Sequence, residues 1–254
     1  LLAKKSLISR RSTAILTFFS IAMSVALLLG VEKVRVNAQS SFANTISGTD
    51  LIVGARSGSI QLLLYSVFRI GDATNNISFK SYQDIAQQKG VKWTIPISLG
   101  DSHRGFRVMG TSRDYFSVYQ YGEKRTLEFA SGKQFEGVFD AVIGAEVANA
   151  LNYAIGDQVI VSHGTGSASF AQHKDKPFII SGILKHTGTP VDRTLHVSLA
   201  GIEAMHVNWQ GAVKKRKASK ALTEANLQPE SITAFLVGLD SKIASFKMQR
   251  YNNE

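Results

Sequence analysis

The stretch STAILTFFSIAMSVALLLGV, Ser12 to Val31, carries no charged residue over 20 positions. As an α-helix rising about 1.5 Å per residue it reaches about 30 Å, one hydrocarbon core. Its flanks differ. Lys4, Lys5, Arg10 and Arg11 precede it, whereas Glu32, Lys33 and Arg35 follow it with a net charge of only +1. That asymmetry places the N-terminus in the cytoplasm and everything after Val31 outside it. A cleaved signal peptide is the rival reading, because Val36-Asn37-Ala38 resembles a small-residue cleavage site. The length of the apolar stretch and the charges that separate it from that site favour a retained anchor. Thr13, Thr17, Ser20 and Ser24 fall at spacings of four, three and four, so they share one helix face. Such a stripe either meets a partner helix or bonds its own backbone.

Around this segment the composition is that of a folded chain. Of 254 residues, 44% are hydrophobic and 19% charged, which excludes a disordered chain and allows one large domain or two small ones. The absence of cysteine excludes disulfides, thiolate metal sites and cysteine nucleophiles. The formal net charge is +10, but four of the cations belong to the N-terminal flank. The exported part keeps 25 basic and 19 acidic residues, a charge of +6. Its densest run, Lys214, Lys215, Arg216, Lys217 and Lys220, has no aromatic neighbour to stack on a base and lies on the exported side. A nucleic-acid partner is therefore not expected. The run reads as a solvated loop, with contact to anionic lipid head groups as the alternative.

Outward from Val31 the helical spacing of Val34, Ala38, Ser41 and Phe42 continues the membrane helix. Asp50 to Gly54 reads as a short buried strand, and Gln61 to Phe68 as an apolar run of undecided type. Ser81 is expected to N-cap a helix through Gln88, closed by Gly90. Lys92–Leu99 and Phe106–Gly110 read as strands joined by a polar loop, Gly100 to Gly105. A helix starts at Ser112, and the stretch to Phe139 is poorly patterned. Strand Ala141–Gly144, helix Ala145–Leu151, a turn at Gly156-Asp157 and strand Gln158–Ser162 follow. Phe178–Leu184 and Thr194–Leu199 are further strands, then a helix to Val207, a polar Lys-rich insertion from 214 to 228 and a last strand, Ile232–Leu239. Asp240 is expected to cap a final helix carrying Ile243, Phe246, Lys247 and Arg250. That helix is still running at Glu254, so a longer protein is expected.

No catalytic, cofactor-binding or metal-ligating residue is assigned. Gly54-Ala55-Arg56-Ser57-Gly58-Ser59 is glycine-rich, but it lacks the lysine of a phosphate loop and reads as a structural loop. Ser162-His163-Gly164-Thr165-Gly166-Ser167 has neither a nucleophile elbow nor an acid to orient its histidine. His163, His173, His186, His196 and His206 fall within 44 residues, without metal-ligand spacing. Asp192 and Arg193 read as a turn residue and an ion pair.

Four segments together resemble the MacB/FtsX-like permease subunits of ABC transporters, of the mechanotransmission type. They are the basic N-terminus with its membrane helix, Leu1 to Val31, and Asp50-Leu51-Ile52-Val53-Gly54-Ala55 followed by Ser59, Gln61 and Leu62. The third is Val142-Ile143-Gly144 followed by Ala148, Leu151, Gly156-Asp157 and Val159. The fourth is Phe178 to Leu184 with Thr187-Gly188-Thr189-Pro190-Val191-Asp192. The Lys-rich insertion matches nothing in that pattern.

The resemblance implies an α+β fold: one transmembrane helix, then a mixed α/β porter-like subdomain with an inserted β-rich subdomain. In residues, 1–11 would be cytoplasmic and 12–31 membrane-spanning. The porter-like part would take 32–110 and 229–254, and the insertion 111–228. It implies a non-catalytic subunit of the bacterial inner membrane with a periplasmic main domain and no cofactor of its own. A separate cytoplasmic ABC ATPase, a second permease subunit and a periplasmic adaptor or cargo protein would be its partners. Three more membrane helices would follow Glu254. The competing reading is a single-pass receptor or accessory protein with an exported binding domain, metal-related through the histidines.

Overall fold

The structure is a computed structural model that describes residues 10–56, 58–164, 176–206, 209–210, 213–214 and 227–241. The chain divides into two compact units, Leu1–Ala43 and Asn44–Glu254. The first is dominated by helix α1 (Arg11–Thr45), 35 residues without a break. It contains no proline, and its single glycine, Gly30, meets no steric demand. Apolar side chains from Ile15 to Val36 face outward on all sides. A helix hydrophobic all round belongs in lipid or in a core. Arg11–Asn37 is long and apolar enough to cross a membrane, and none of it is buried. Thr17 Oγ1 and Ser24 Oγ donate to the carbonyls of Thr13 and Ser20, both at 2.9 Å, so these hydroxyls bond their own helix.

The second unit is mixed α/β and rich in sheet. Its main strands are β1 (Leu51–Gly54), β2 (Val91–His103), β3 (Phe106–Thr111), β4 (Phe129–Gly132), β5 (Asp140–Ile143), β6 (Phe178–Leu184), β7 (Thr194–Ser198) and β8 (Ala234–Leu239). They lie in the order β1-β8-β2-β3-β7-β5-β6-β4. The pairs β3/β7 and β5/β6 are parallel and the others antiparallel. Short strands Ser162–His163 and Gln158–Val159 add to β2 and β6. Around the sheet lie α2 (Ser59–Ser66), α3 (Phe79–Ala86), α4 (Asp114–Val118), α5 (Ala145–Leu151) and α6 (Leu199–His206).

Strand β2 is shared between two halves of the sheet. Val91 to Ile97 pair with β8, and Ser98 to His103 pair with β3. The loop expected from Gly100 to Gly105 is therefore mostly strand, and only Arg104 and Gly105 make the turn, with φ of 47° and 85°. The polar side chains there are buried by hydrogen bonds, not by apolarity. Ser102 Oγ donates to Gly164 O at 2.5 Å, and Gly164 N donates to Gly100 O at 3.0 Å. His103 Nδ1 donates to Ile160 O at 2.7 Å, and its Nε2 accepts from Tyr153 OH at 2.8 Å.

Strand alternation supplies two core faces. Phe106 and Val108 with Ala141, Ile143, Leu195 and Val197 fill one face. Met109, Val142 and Leu184 join Ile95, Ile97 and Leu236 on the other. Phe178 and Ile180 belong to the first face and Leu184 to the second, because a register shift between Ile180 and Gly182 turns β6 over. A third core, Ile232, Phe235, Val237 and Leu239 with Ile85, sits under α3. Each such side chain contributes about 1.5–3 kcal/mol by burial.

Two further expectations change. The cap of α3 is Ser78, which accepts from Ser81 N at 3.1 Å, so the helix starts at Phe79 and directs Phe79 and Tyr82 onto the third core. The unpatterned stretch after Ser112 holds α4, the hairpin Gln120–Tyr121/Arg125–Thr126 and β4. Gln61 to Phe68 resolves into most of α2. Most of the Lys-rich insertion and the helix expected beyond Asp240 lie outside the described residues.

Candidate functional site

Where the chain enters the domain, two hydrogen bonds tie it down and a glycine follows them closely. The Tyr119 hydroxyl donates to the carbonyl of Thr45, the last residue of α1. Ser47 N donates to Gln120 O at 2.9 Å. Gly48 has φ of 72°, and a Cβ there would stand 2.8 Å from Gln120 Oε1. Thr45 is buried, so its carbonyl, orphaned at a helix end, is satisfied by the phenol instead of water.

Tyr119 belongs to an aromatic group that α4 presents to the second core face. Tyr115 and Tyr119 have ring centroids 4.8 Å apart. Tyr115 stacks on His196 at 5.1 Å, and Phe116 meets the same imidazole edge-on at 6.0 Å. His196 is placed there by alternation in β7, whose Leu195 and Val197 face the other way. Its Nδ1 donates to Val142 O at 3.2 Å. Burial first, and Arg69 second, push its pKa down to about 3, so the imidazole is neutral. Burial pushes Tyr115 up to about 12 against the opposing pull of Arg69. Burial, then Tyr115, raise Tyr119 well above its ordinary value. At neutral pH these groups are uncharged, and the arrangement holds hydrogen bonds instead of moving protons.

The Thr187-Gly188-Thr189-Pro190-Val191-Asp192 segment closes the neighbouring edge. Asp192 is fully buried and accepts from Thr187 N at 2.8 Å, Thr187 Oγ1 at 2.9 Å and Gly188 N at 2.7 Å. His186 Nδ1 lies 2.9 Å from the same carboxylate. Thr189 caps the short helix Pro190–Arg193. The expected ion pair of Asp192 with Arg193 is corrected: Arg193 pairs with Glu146 at 2.9 Å, because the Asp192 oxygens are held by the loop. Gly144 lets this loop pack against the start of α5, since a Cβ there would lie 2.2 Å from Val191 O. Between the loop and the 120–126 hairpin is an open polar cleft of about 690 Å³, lined by Tyr121, Gly122, Glu123, Arg125, Thr187 and Gly188.

Among the described residues the histidines are not gathered. His186 is exposed, His196 is interior and His206 ends α6. His163 lies in a strand beside β2, and His173 falls outside the described residues. Among the described residues no group of three His, Cys, Asp or Glu could hold a metal ion. The glycine-rich stretch is divided between elements: Gly54 ends β1 against Leu62, and Gly58 precedes α2. Sequence reasoning missed Arg69, Tyr115 and Tyr119. The spacing of Tyr115, Phe116 and Tyr119 was the available signal, because it puts three aromatic rings on one helical face.

The family described as MacB-like periplasmic core domain matches residues 14–233. Among solved structures, the periplasmic region of MacB from Actinobacillus actinomycetemcomitans is 12% identical, with a TM-score of 0.49 and coverage of 85% of both chains. The extracellular domain of the noncanonic ABC-type transporter YknZ from Gram-positive bacteria is 13% identical, with a TM-score of 0.41. That match covers 65% of this chain and 74% of the other. No curated protein matches the chain.

Proposed function

The chain belongs to the MacB-like periplasmic core domain family, and from that premise we propose that it is the permease subunit of an ATP-driven ABC transporter of the mechanotransmission type. The observation that carries the reading is the extent of the match, which begins inside α1 and ends at Thr233, next to β8. It takes in most of the candidate membrane helix together with every strand of the main sheet except β8. Residues 1–11 would be cytoplasmic, 12–31 would cross the inner membrane, and the rest would be periplasmic. The basic Arg10 and Arg11 at the start of the span support that orientation.

In this reading a cytoplasmic ABC ATPase hydrolyses ATP, and the subunit pairs with a second permease subunit. The pair relays the motion to the periplasmic domain, which acts on an extracytoplasmic substrate, adaptor or cargo protein. The subunit itself does no chemistry. Two features support a relay. Helix α1 runs without interruption to Thr45, about 52 Å at its ordinary rise, well beyond one hydrocarbon core. Its end is bonded to Tyr119. In this reading the porter-like part takes 32–110 with 229–254 and the inserted part 111–228; the pairing of β8 with β1 and β2 supports joining the two segments of the porter-like part.

The test exploits the absence of cysteine from residues 1–254. A spin label on an introduced cysteine at Ser131 reports the distance between two copies in the membrane complex with its ATPase. ATP is expected to change that distance. Inserting two glycines after Val34 is expected to abolish the change while hydrolysis continues. An ATP-dependent change that survives the insertion would refute the relay through α1.

A further inference from the structure

We infer that the turn Val67 to Asp72 is a two-position element. In the observed position the Arg69 guanidinium is tucked beneath Tyr115 and His196. In the other, Arg69 turns out to solvent and Ile70 turns in.

The observed position is inverted with respect to burial preference. Arg69 Nε and Nη1 are buried without a hydrogen bond of good geometry. The adjacent Ile70 is 58% exposed. A guanidinium half-buried beside an isoleucine left outside is the reverse of what solvation favours. The backbone adds strain, because Arg69 has φ of 60°, a left-handed conformation costly for a residue with a Cβ. The groups beside the guanidinium are poorly matched to it. Tyr115 OH meets Arg69 without good hydrogen-bond geometry, and His196 Nε2 has no partner; Ser112 Oγ, just ahead of α4, also has none. These side chains account for every buried unpaired side-chain atom among the described residues. No carboxylate compensates. Asp192 acts on Tyr115 through space, but its oxygens are taken by Thr187, Gly188 and His186.

The turn has the parts needed to move. Gly71 has φ of 78° with open space where a Cβ would be, so it can absorb a backbone change. The turn is bonded back to α2 through Val67 N to Leu63 O at 3.0 Å, Phe68 N to Leu63 O at 3.4 Å and Ile70 N to Leu64 O at 3.0 Å. Beyond it, Arg107 fixes the exit through Asp72 at 2.7 Å and Gly71 O at 2.6 Å. Strain and unmatched polar groups persist at a site only when surrounding structure enforces them, and they concentrate in elements that switch. Arg69 also acts electrostatically on Tyr119, the residue bonded to Thr45. A flip therefore changes the surroundings of the point where α1 ends. Its use in relaying ATP-driven motion rests on the function proposed above, whereas the two positions do not.

The test is hydrogen exchange on the full chain in detergent micelles, with its thermal midpoint. Arg69→Met removes the poorly matched charge and keeps most of the side-chain length. It is expected to raise the midpoint and to slow exchange of the 67–72 amides about tenfold. Ile70→Ser, at an exposed position, removes the residue that the second position buries. It is expected to slow the same amides without lowering the midpoint. Arg69→Met that lowers the midpoint or fails to fold would mean a guanidinium satisfied in place, and would overturn the inference. Unchanged exchange in both variants would do the same. Either result leaves the transporter reading standing, since neither measurement uses the ATPase.

Discussion

Tyr119 and Thr45 are joined by a hydrogen bond from the phenol to the last carbonyl of α1, although 74 positions separate them in sequence. Both residues are buried. Tyr119→Phe keeps the ring that packs on Tyr115 and removes only the donor. A buried carbonyl left without its partner costs about 1–3 kcal/mol. The variant is expected to lose that much stability in chemical denaturation and to speed exchange of the Ser47 amide. An unchanged denaturation midpoint would mean the bond ties down nothing.

Asp192 and His186 are in contact but should not be equivalent. The carboxylate is 0% exposed and answers two backbone amides and a hydroxyl, whereas the imidazole is 67% exposed. Asp192→Asn replaces an acceptor oxygen by a donor facing those amides, and is expected to cost about 3 kcal/mol or more. His186→Ala removes a solvent-screened contact and is expected to cost under about 1 kcal/mol. Equal losses in urea titrations of the two variants would contradict the account of the loop.

Gly144 sits where a side chain would collide with backbone. A Cβ would lie 2.2 Å from Val191 O and 2.4 Å from Asp192 O, and neither atom can rotate away. Gly144→Ala is therefore expected to unfold the domain or to cost about 3 kcal/mol or more, at the severe end of single substitutions. Gly58 is the control: its φ is −63° and nothing lies near its Cβ position. Gly58→Ala is expected to leave the thermal midpoint within a degree or two. A well-folded Gly144→Ala would show that the loop can move away from α5.

The parts legible in the sequence are those set by local pattern. The apolar stretch from Ser12 gave α1, and the spacing of Val147, Ala148 and Leu151 gave α5. The parts missed depend on partners distant in the chain. Asp101, Ser102 and His103 look like loop residues, but Ile160, Ser162 and Gly164 bury them as strand. Ser78 displaced Ser81 as cap because it lies one turn earlier, at the end of a two-residue strand paired with Ser231–Ile232. Arg69 was invisible as a neighbour of Tyr115 and His196, since nothing local marks an arginine that acts on residues so distant in the chain. The family pattern at Thr187 to Asp192 was legible, but the carboxylate's role in holding the loop was not.

His196 gives a stability dependence on pH with a definite sign. Its imidazole faces Tyr115 and Phe116 from α4, Arg69 from the turn after α2 and Val142 O from β5, with no carboxylate in contact. Burial and Arg69 hold its folded pKa at about 3, against an ordinary value of 6.5. Above about 6.5 the residue is neutral in both states and adds no pH dependence. Below that the unfolded chain takes up a proton that the folded chain refuses, so stability falls as the pH drops toward 3. The slope from one such proton approaches about 1.4 kcal/mol per pH unit. Glu203, raised by burial and then by Glu230, and His103, lowered mainly by burial, also titrate in the acid range. Both remain in a His196→Gln variant, so their contributions cancel when the two proteins are compared at each pH. Gln cannot be protonated there, and the stability difference between the parent and the variant is expected to shift against the parent by more than about 1 kcal/mol between pH 6.5 and pH 4.5. Denaturation curves at those two pH values read it directly. A difference that stays constant would mean that His196 can take its proton inside the fold, which would require either an acid or solvent at its unpaired Nε2.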